Sequence, residues 1–188
     1  MAKQAKVLND QEVKRVLAMI ATRRYAVRDR AIFMLSYLAG LRAIEIASLR
    51  VSDIAVDGKV QDRVVLMKNQ TKGNEARVIF VSDKLRKELQ SYLDTVDTIV
   101  ETQPLFRGQK GSFSRHSVCL LLGRIYQEAG IKGASSHSGR RTFATTLGDK
   151  GVGIRVIQRL LGHSHVSTTA RYIECSDTQL EQAVQLVG

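Results

Sequence analysis

Arg63-Val64-Val65-Leu66-Met67 and Arg77-Val78-Ile79-Phe80-Val81 decide the class of this fold. Both runs are rich in β-branched residues and read as strands, in a chain whose apolar residues elsewhere recur at helical spacing. Between them, Asn69-Gln70-Thr71-Lys72-Gly73-Asn74-Glu75 reads as a hairpin loop with Gly73 and Asn74 at the turn. Asp57-Gly58 marks another turn just upstream, so a three-stranded antiparallel sheet is expected.

Outward from this sheet the pattern is helical. Asn9 can cap a first helix, with Glu12 completing a capping box and Val13, Val16, Leu17 and Ile20 on one face. A second helix is expected from Val27 to Ala39, stopped by Gly40, and a short one over Ala43–Leu49. Further helices are expected at Asp83–Leu93, Ser114–Ala129, His137–Lys150, Ile154–Leu161 and Thr178–Val187. The sole proline, Pro104, lies in the loop between the halves. The expected class is therefore α+β, mostly helical, with one domain and a small sheet.

The 188 residues are 44% apolar, enough for one real core. They carry 29 Lys+Arg against 18 Asp+Glu, a formal charge of +11. That balance points to an acidic polymer as partner, although a basic surface that only aids solubility is the bland alternative. Cys119 and Cys175 stand alone, so neither a disulfide framework nor a zinc site is indicated, and a reduced setting fits. No apolar run approaches the ~20 residues that span a bilayer, and the N-terminus lacks the apolar core of a signal peptide. A cytoplasmic location is expected, with no membrane partner.

Several polar residues sit in unusual places. Arg42 follows a helix break and Glu45 comes one turn later; alone they read as a structural ion pair. Lys72 at the hairpin tip is by itself an exposed turn lysine, yet a loop can also deliver a proton donor. His137 and Arg140 are spaced to share a face of a helical first turn, with Ser135 and Ser136 as candidate caps. The bland reading there is a capped helix with solvated charges. His163 follows Leu160-Leu161-Gly162, where a histidine is usually a cap partner. Tyr172 follows Thr168-Thr169-Ala170-Arg171 and alone would be a surface tyrosine.

Together, in this order, these segments resemble the tyrosine site-specific recombinase (phage integrase) family. Ala39-Gly40-Leu41-Arg42-Ala43-Ile44-Glu45-Ile46 is similar to its first arginine box, and Thr71-Lys72-Gly73 to its hairpin lysine. His137-Ser138-Gly139-Arg140-Arg141-Thr142 resembles the His-x-x-Arg box, Leu160-Leu161-Gly162-His163-Ser164 the Leu-Gly-His motif, and Thr168-Thr169-Ala170-Arg171-Tyr172 the nucleophile box. The resemblance runs from about Val7 to Ile173. Departures are Ala39 for Thr, Gly139 for an apolar residue, and Arg141 for His; Gly139 is expected to loosen the helix start.

The resemblance implies the catalytic domain of a DNA strand-cutting and rejoining enzyme over residues 1–175, followed by a helical tail over 176–188 that is either packed on its own core or exchanged between protomers. It implies that the family's N-terminal core-binding domain is absent here, whether the chain is a fragment or a minimal member. Tyr172 would be the nucleophile forming a 3′-phosphotyrosine, Arg42 and Arg140 would hold the phosphate, and His137 would take the nucleophile's proton. Lys72 would protonate the leaving oxygen, His163 would donate to the phosphate, and Glu45 would orient Arg42. No metal, nucleotide or other cofactor is implied. The implied partners are double-stranded DNA, further copies forming a homo-tetramer on DNA from a chain that is monomeric alone, and accessory DNA-bending proteins. Arg23, Arg24, Arg28, Lys68, Arg107, Lys110, Arg115 and Arg141 are candidates for DNA backbone contacts, though each alone reads as a solvated charge. Two other readings stay open: a DNA-binding regulator that keeps the fold without turnover, and a nicking-closing activity like that of type IB topoisomerases.

Overall fold

The computed structural model describes residues 4–71, 75–96, 100–109, 111–173, 180–181 and 184–185. Helix α1 (Asp10–Ala21) starts as its sequence requires. The Asn9 side chain accepts from the Glu12 amide at 2.9 Å and Glu12 returns a bond to the Asn9 amide at 3.1 Å. Helix α2 (Ala26–Ala39) is the centre of the molecule: Ala31 to Leu35 are at most 1% exposed, so this stretch is buried on every side. It ends on Gly40 at φ 64°, the left-handed conformation that lets the chain leave the helix sharply.

Two short helices follow, α3 (Ala43–Ser48) and α4 (Val51–Ile54). The strands then form β1 (Ala55–Val56) with β2 (Lys59–Val60), and β3 (Arg63–Leu66) with β4 (Arg77–Phe80). Asp57 and Gly58, both at positive φ, make the β1–β2 turn. Register in β3–β4 puts Val64, Leu66 and Ile79 in the core and leaves Val65, Val78 and Phe80 on the open face.

The expected three-stranded sheet is replaced by separate two-stranded ribbons. The Val60 amide on β2 donates to the side chain of Gln90 at 3.1 Å, so the hydrogen bond a third strand needs is already taken. A third ribbon, β5 (Arg107–Gly108) with β6 (Gly111–Ser112), forms in the basic loop after Pro104.

The remaining helices are α5 (Asp83–Leu93), α6 (Arg115–Glu128), α7 (Ser138–Asp149), α8 (Ile154–Leu161) and α9 (Val166–Ala170). Gly139 has a packing role that its helix propensity does not show. A Cβ there would stand 2.7 Å from Ser36 Oγ and 3.2 Å from the Ser36 backbone, so the glycine also lets α7 lie directly against α2. Among the described residues no helix is long and apolar enough to cross a membrane. Of the expected tail helix, Leu180 and Val184 are described; both are helical and exposed, at 56% and 70%.

Candidate active site

The site is organised around one end of one helix. Gly162, at φ 61°, caps α8 and leaves three successive carbonyls at its C-terminus, each of which takes an arginine. Arg77 donates to Leu160 O, Arg140 to Leu161 O at 2.7 Å, and Arg42 to Gly162 O at 3.2 Å. A helix C-terminus carries partial negative charge on its unpaired carbonyls, so cations gather there.

Behind the arginines lies one fully buried carboxylate. Glu45 reaches Arg42 Nη1 at 2.9 Å through Oε1 and Arg77 Nη2 at 2.8 Å through Oε2, with Arg140 Nη1 3.9 Å away. Its Oε2 also accepts the Arg42 amide at 2.7 Å at the start of α3. Three guanidiniums thus share one carboxylate, and two positive charges remain for an incoming anion. Arg140 is 2% exposed and also donates to Gly40 O. The left-handed turn at Gly40 makes this carbonyl available; a Cβ there would stand 2.7 Å from Phe143 and 2.9 Å from Leu161.

Burial pushes the Arg140 guanidinium down to about 9, reinforced by the Arg42 charge and opposed by Glu45. Burial lowers Arg77 too, against Glu45. Both arginines remain cationic at neutral pH. His163 is held down to about 3 by burial first and then by Arg140, Arg42 and Arg77, so it is neutral. Its Nε2 lies 2.9 Å from Arg140 Nη2, and its Nδ1 2.9 Å from the buried Thr169 hydroxyl. A guanidinium only donates, so Nε2 is the acceptor and the single ring proton sits on Nδ1, facing Thr169. In this arrangement His163 Nε2 carries no proton for a phosphate.

Tyr172 is beside this cluster. Its ring centroid is 5.7 Å from that of His163, and it packs on the small cluster of Ala144, Ile157 and Leu161. The Tyr172 amide donates to Thr169 O at 2.9 Å and its carbonyl accepts from Thr145 Oγ1 at 2.8 Å, which ties the turn to α7.

The structure therefore brings Arg42, Glu45, Arg140, His163 and Tyr172 together. His137 is the exposed N-cap residue of α7, while Arg140 is buried one turn on. The turn before it is closed by Ser135 and Ser138, with Ser138 Oγ accepting the Ser135 amide at 3.0 Å. Two cavities flank the cluster. A groove of about 810 Å³ is lined by Arg42, Arg77, His163 and the basic pair Arg155 and Arg159. A cleft of about 350 Å³ is lined by His137, Arg141, Arg171 and Tyr172. Lys72 and Lys110 lie outside the described residues.

Arg77 was not singled out from the sequence. It sits at the first position of β4, where an arginine ordinarily projects to solvent, and only its contacts with Glu45 and Leu160 mark it. Three expected backbone-contact residues also make internal contacts. Arg23 and Arg28 clamp the buried Asp29 at 2.9 and 2.7 Å, and Arg28 lies over the rings of Tyr25 and Phe113. Arg141 donates to Ala5 O at 2.6 Å and pins the N-terminal segment. A guanidinium committed to a buried carboxylate or carbonyl has less to offer a phosphate. Arg24, Lys68, Arg107 and Arg115 are exposed. Among the described residues no three His, Cys, Asp or Glu side chains are placed to hold a metal ion.

Comparison with known proteins extends this geometry. The model of the phage integrase family matches residues 6–179. The chain is 37% identical over 183 residues to the tyrosine recombinase XerA of Thermococcus kodakarensis, covering 95% of this chain and 61% of that protein. It is 34% identical over 154 residues to the tyrosine recombinase XerC of Pelobacter propionicus, covering 81% and 49%. The crystal structure of XerA recombinase superposes with a TM-score of 0.76 at 28% identity, over 97% of this chain and 65% of that one. The Tn1549 transposon integrase, in complex with transposon right end DNA, gives a TM-score of 0.77 at 15% identity over 99% and 67%, a likeness of fold. The chain thus spans about three fifths of the length of the XerA relative it matches.

Proposed function

The chain belongs to the phage integrase family of tyrosine recombinases, and from that premise we propose that it cuts and rejoins double-stranded DNA site-specifically through a covalent 3′-phosphotyrosine at Tyr172. The observation that carries this reading is the trio Arg42, Arg77 and Arg140 on one buried carboxylate, beside Tyr172, with two positive charges left over. Pre-formed positive charge is what a phosphodiester needs as its phosphorus becomes five-coordinate.

Tyr172 Oη attacks the phosphorus, the bond to the 5′-oxygen breaks, and the phosphodiester energy is kept in the new ester. Rejoining reverses the step on another strand without ATP. Arg42 and Arg140 hold the non-bridging oxygens. Their orientation comes from Glu45 and from the carbonyls at the C-terminal end of α8. A free phenol has a pKa near ~10, so its proton needs an acceptor. His137, in the cleft that Tyr172 also lines, takes that role, and Lys72 returns a proton to the leaving oxygen. Arg24, Lys68, Arg107 and Arg115 grip the backbone. The reaction proceeds in the cytoplasm on a tetramer. The exposed apolar Leu180 and Val184 support a tail seated on a neighbouring protomer.

The test is cleavage of nicked duplexes that trap the intermediate. Wild type yields a protein–DNA adduct on a denaturing gel and Tyr172→Phe yields none. An equal adduct from both proteins removes Tyr172 from the mechanism. Relaxation of supercoiled DNA without recombinant products would favour a nicking-closing enzyme, and binding without any adduct a regulator.

A further inference from the structure

His163 cannot hold Arg140 and serve a phosphate in one hydrogen-bonding state. In the free protein its Nε2 accepts from Arg140 Nη2 at 2.9 Å, and its Nδ1–H is given to Thr169 Oγ1 at 2.9 Å. A phosphate drawing Arg140 forward would leave the Nε2 lone pair facing an anion. Two remedies exist. The ring can take up a second proton, or it can exchange its proton from Nδ1 to Nε2. The first adds a cation beside Arg42, Arg77 and Arg140, with Glu45 the single carboxylate bridging them among the described residues. The low basicity of His163 in this setting argues the same way. The second keeps the charge constant, but Nδ1 then needs a donor in place of an acceptor.

Thr169 meets that requirement. Its hydroxyl is fully buried, at 0% exposure, and a hydroxyl both accepts and donates by rotation about one bond. We propose that the Thr169 hydroxyl is the positioning group that lets His163 change role, accepting from Arg140 in the free protein and donating from Nε2 once a phosphate occupies the arginine cluster. One proton leaves Nδ1 for solvent, one arrives at Nε2 from solvent, and the ring stays neutral. The hydroxyl turns from accepting at Nδ1 to donating to it. Thr169 also accepts the Tyr172 amide through its carbonyl, at 2.9 Å, so the residue that sets the histidine also holds the tyrosine turn. The proposal rests on the recombinase reading for its substrate, but its free-state arrangement does not.

The experiment follows the imidazole nitrogens directly, in long-range proton–nitrogen spectra of the full chain labelled with 15N-histidine. The chain has four histidines, and the His163 signals are identified by their loss in His163→Gln. The free protein is expected to carry the proton on Nδ1. Inorganic phosphate, added until its 31P line ceases to broaden, should move the proton to Nε2. A free protein already protonated at Nε2 overturns the proposal, as does a ring that keeps its proton on Nδ1, or becomes doubly protonated, at the highest phosphate reached. Thr169→Val should slow adduct formation on nicked duplex about tenfold, and Thr169→Ser should restore it, since one hydrogen bond is at stake. A valine variant as fast as wild type also refutes it. Absence of any adduct from wild type counts against the recombinase reading alone, because the ring proton and its response to phosphate are read without cleavage.

Discussion

Replacing Glu45 by Gln keeps the shape of the most buried acidic side chain in the site and deletes its charge. In the wild type Glu45 is 0% exposed and neutralises part of the charge of Arg42, Arg77 and Arg140 at 2.9, 2.8 and 3.9 Å. The amide leaves three guanidiniums facing one another, two of them nearly out of solvent. Breaking a buried ion network by removing one partner costs about 3–5 kcal/mol. In a chain of 188 residues each kcal/mol moves Tm by about 2–4 °C, so Glu45→Gln should melt roughly 6–20 °C below wild type. The loss has a second signature. An anion that enters the cluster replaces the missing charge, so inorganic phosphate should raise the Tm of Glu45→Gln more than that of wild type. The assay is thermal melting by circular dichroism across a phosphate series, with chloride matched for ionic strength. A variant that melts within about 2 °C of wild type, or one that phosphate stabilises no more than wild type, would refute the claim that this carboxylate compensates the arginines.

Gly40→Ala should destabilise more than Gly58→Ala. Both residues have positive φ and lose about 1–2 kcal/mol to left-handed backbone, but only at Gly40 does the new Cβ meet Phe143 and Leu161, at 2.7 and 2.9 Å, as denaturant melts of the pair will show. His163 is held to about 3 in the folded state against an ordinary 6.5, so between these values the unfolded chain binds the extra proton. Its contribution to stability is therefore complete above pH ~6.5 and is lost as pH falls toward ~3, with a slope of up to about 1.4 kcal/mol per unit. Subtracting the stability–pH curve of His163→Gln isolates it, and parallel curves would contradict the assignment. Arg115→Ala should lower the slope of log binding constant against log salt by about 1 for duplex DNA, whereas Arg28→Ala should leave it unchanged and lower Tm, because Arg28 is committed to Asp29 at 2.7 Å.

Much of this molecule is local and therefore legible along the chain. The Asn9–Glu12 capping box, the stop at Gly40, the Asp57-Gly58 turn and the cap at Gly162 each depend on a few neighbouring residues, and each forms as its residue types require. The motif residues Arg42, Glu45, Arg140, His163 and Tyr172 were nameable from order and context, and the fold brings them together. Other features depended on partners far apart in sequence, which residue type does not reveal. Every residue offers a carbonyl, so nothing in Leu160-Leu161-Gly162 announced that these three would each bind an arginine from a different part of the chain. Arg77 reads as a strand arginine until α8 is packed beside it, and Gly139 reads as a weak helix residue until Ser36 lies 2.7 Å from its missing Cβ. The surface arginines divide in the same way. Arg23 and Arg28 are tied internally because Asp29 is buried between them, while Arg24 and Arg115 are exposed. Sequence by itself determined where most helices and turns form and which side chains are candidates for chemistry. Tertiary packing alone decided which charges neutralise one another and which are left facing outward, because that depends on distances between segments, and distance is what a linear order of residues does not contain.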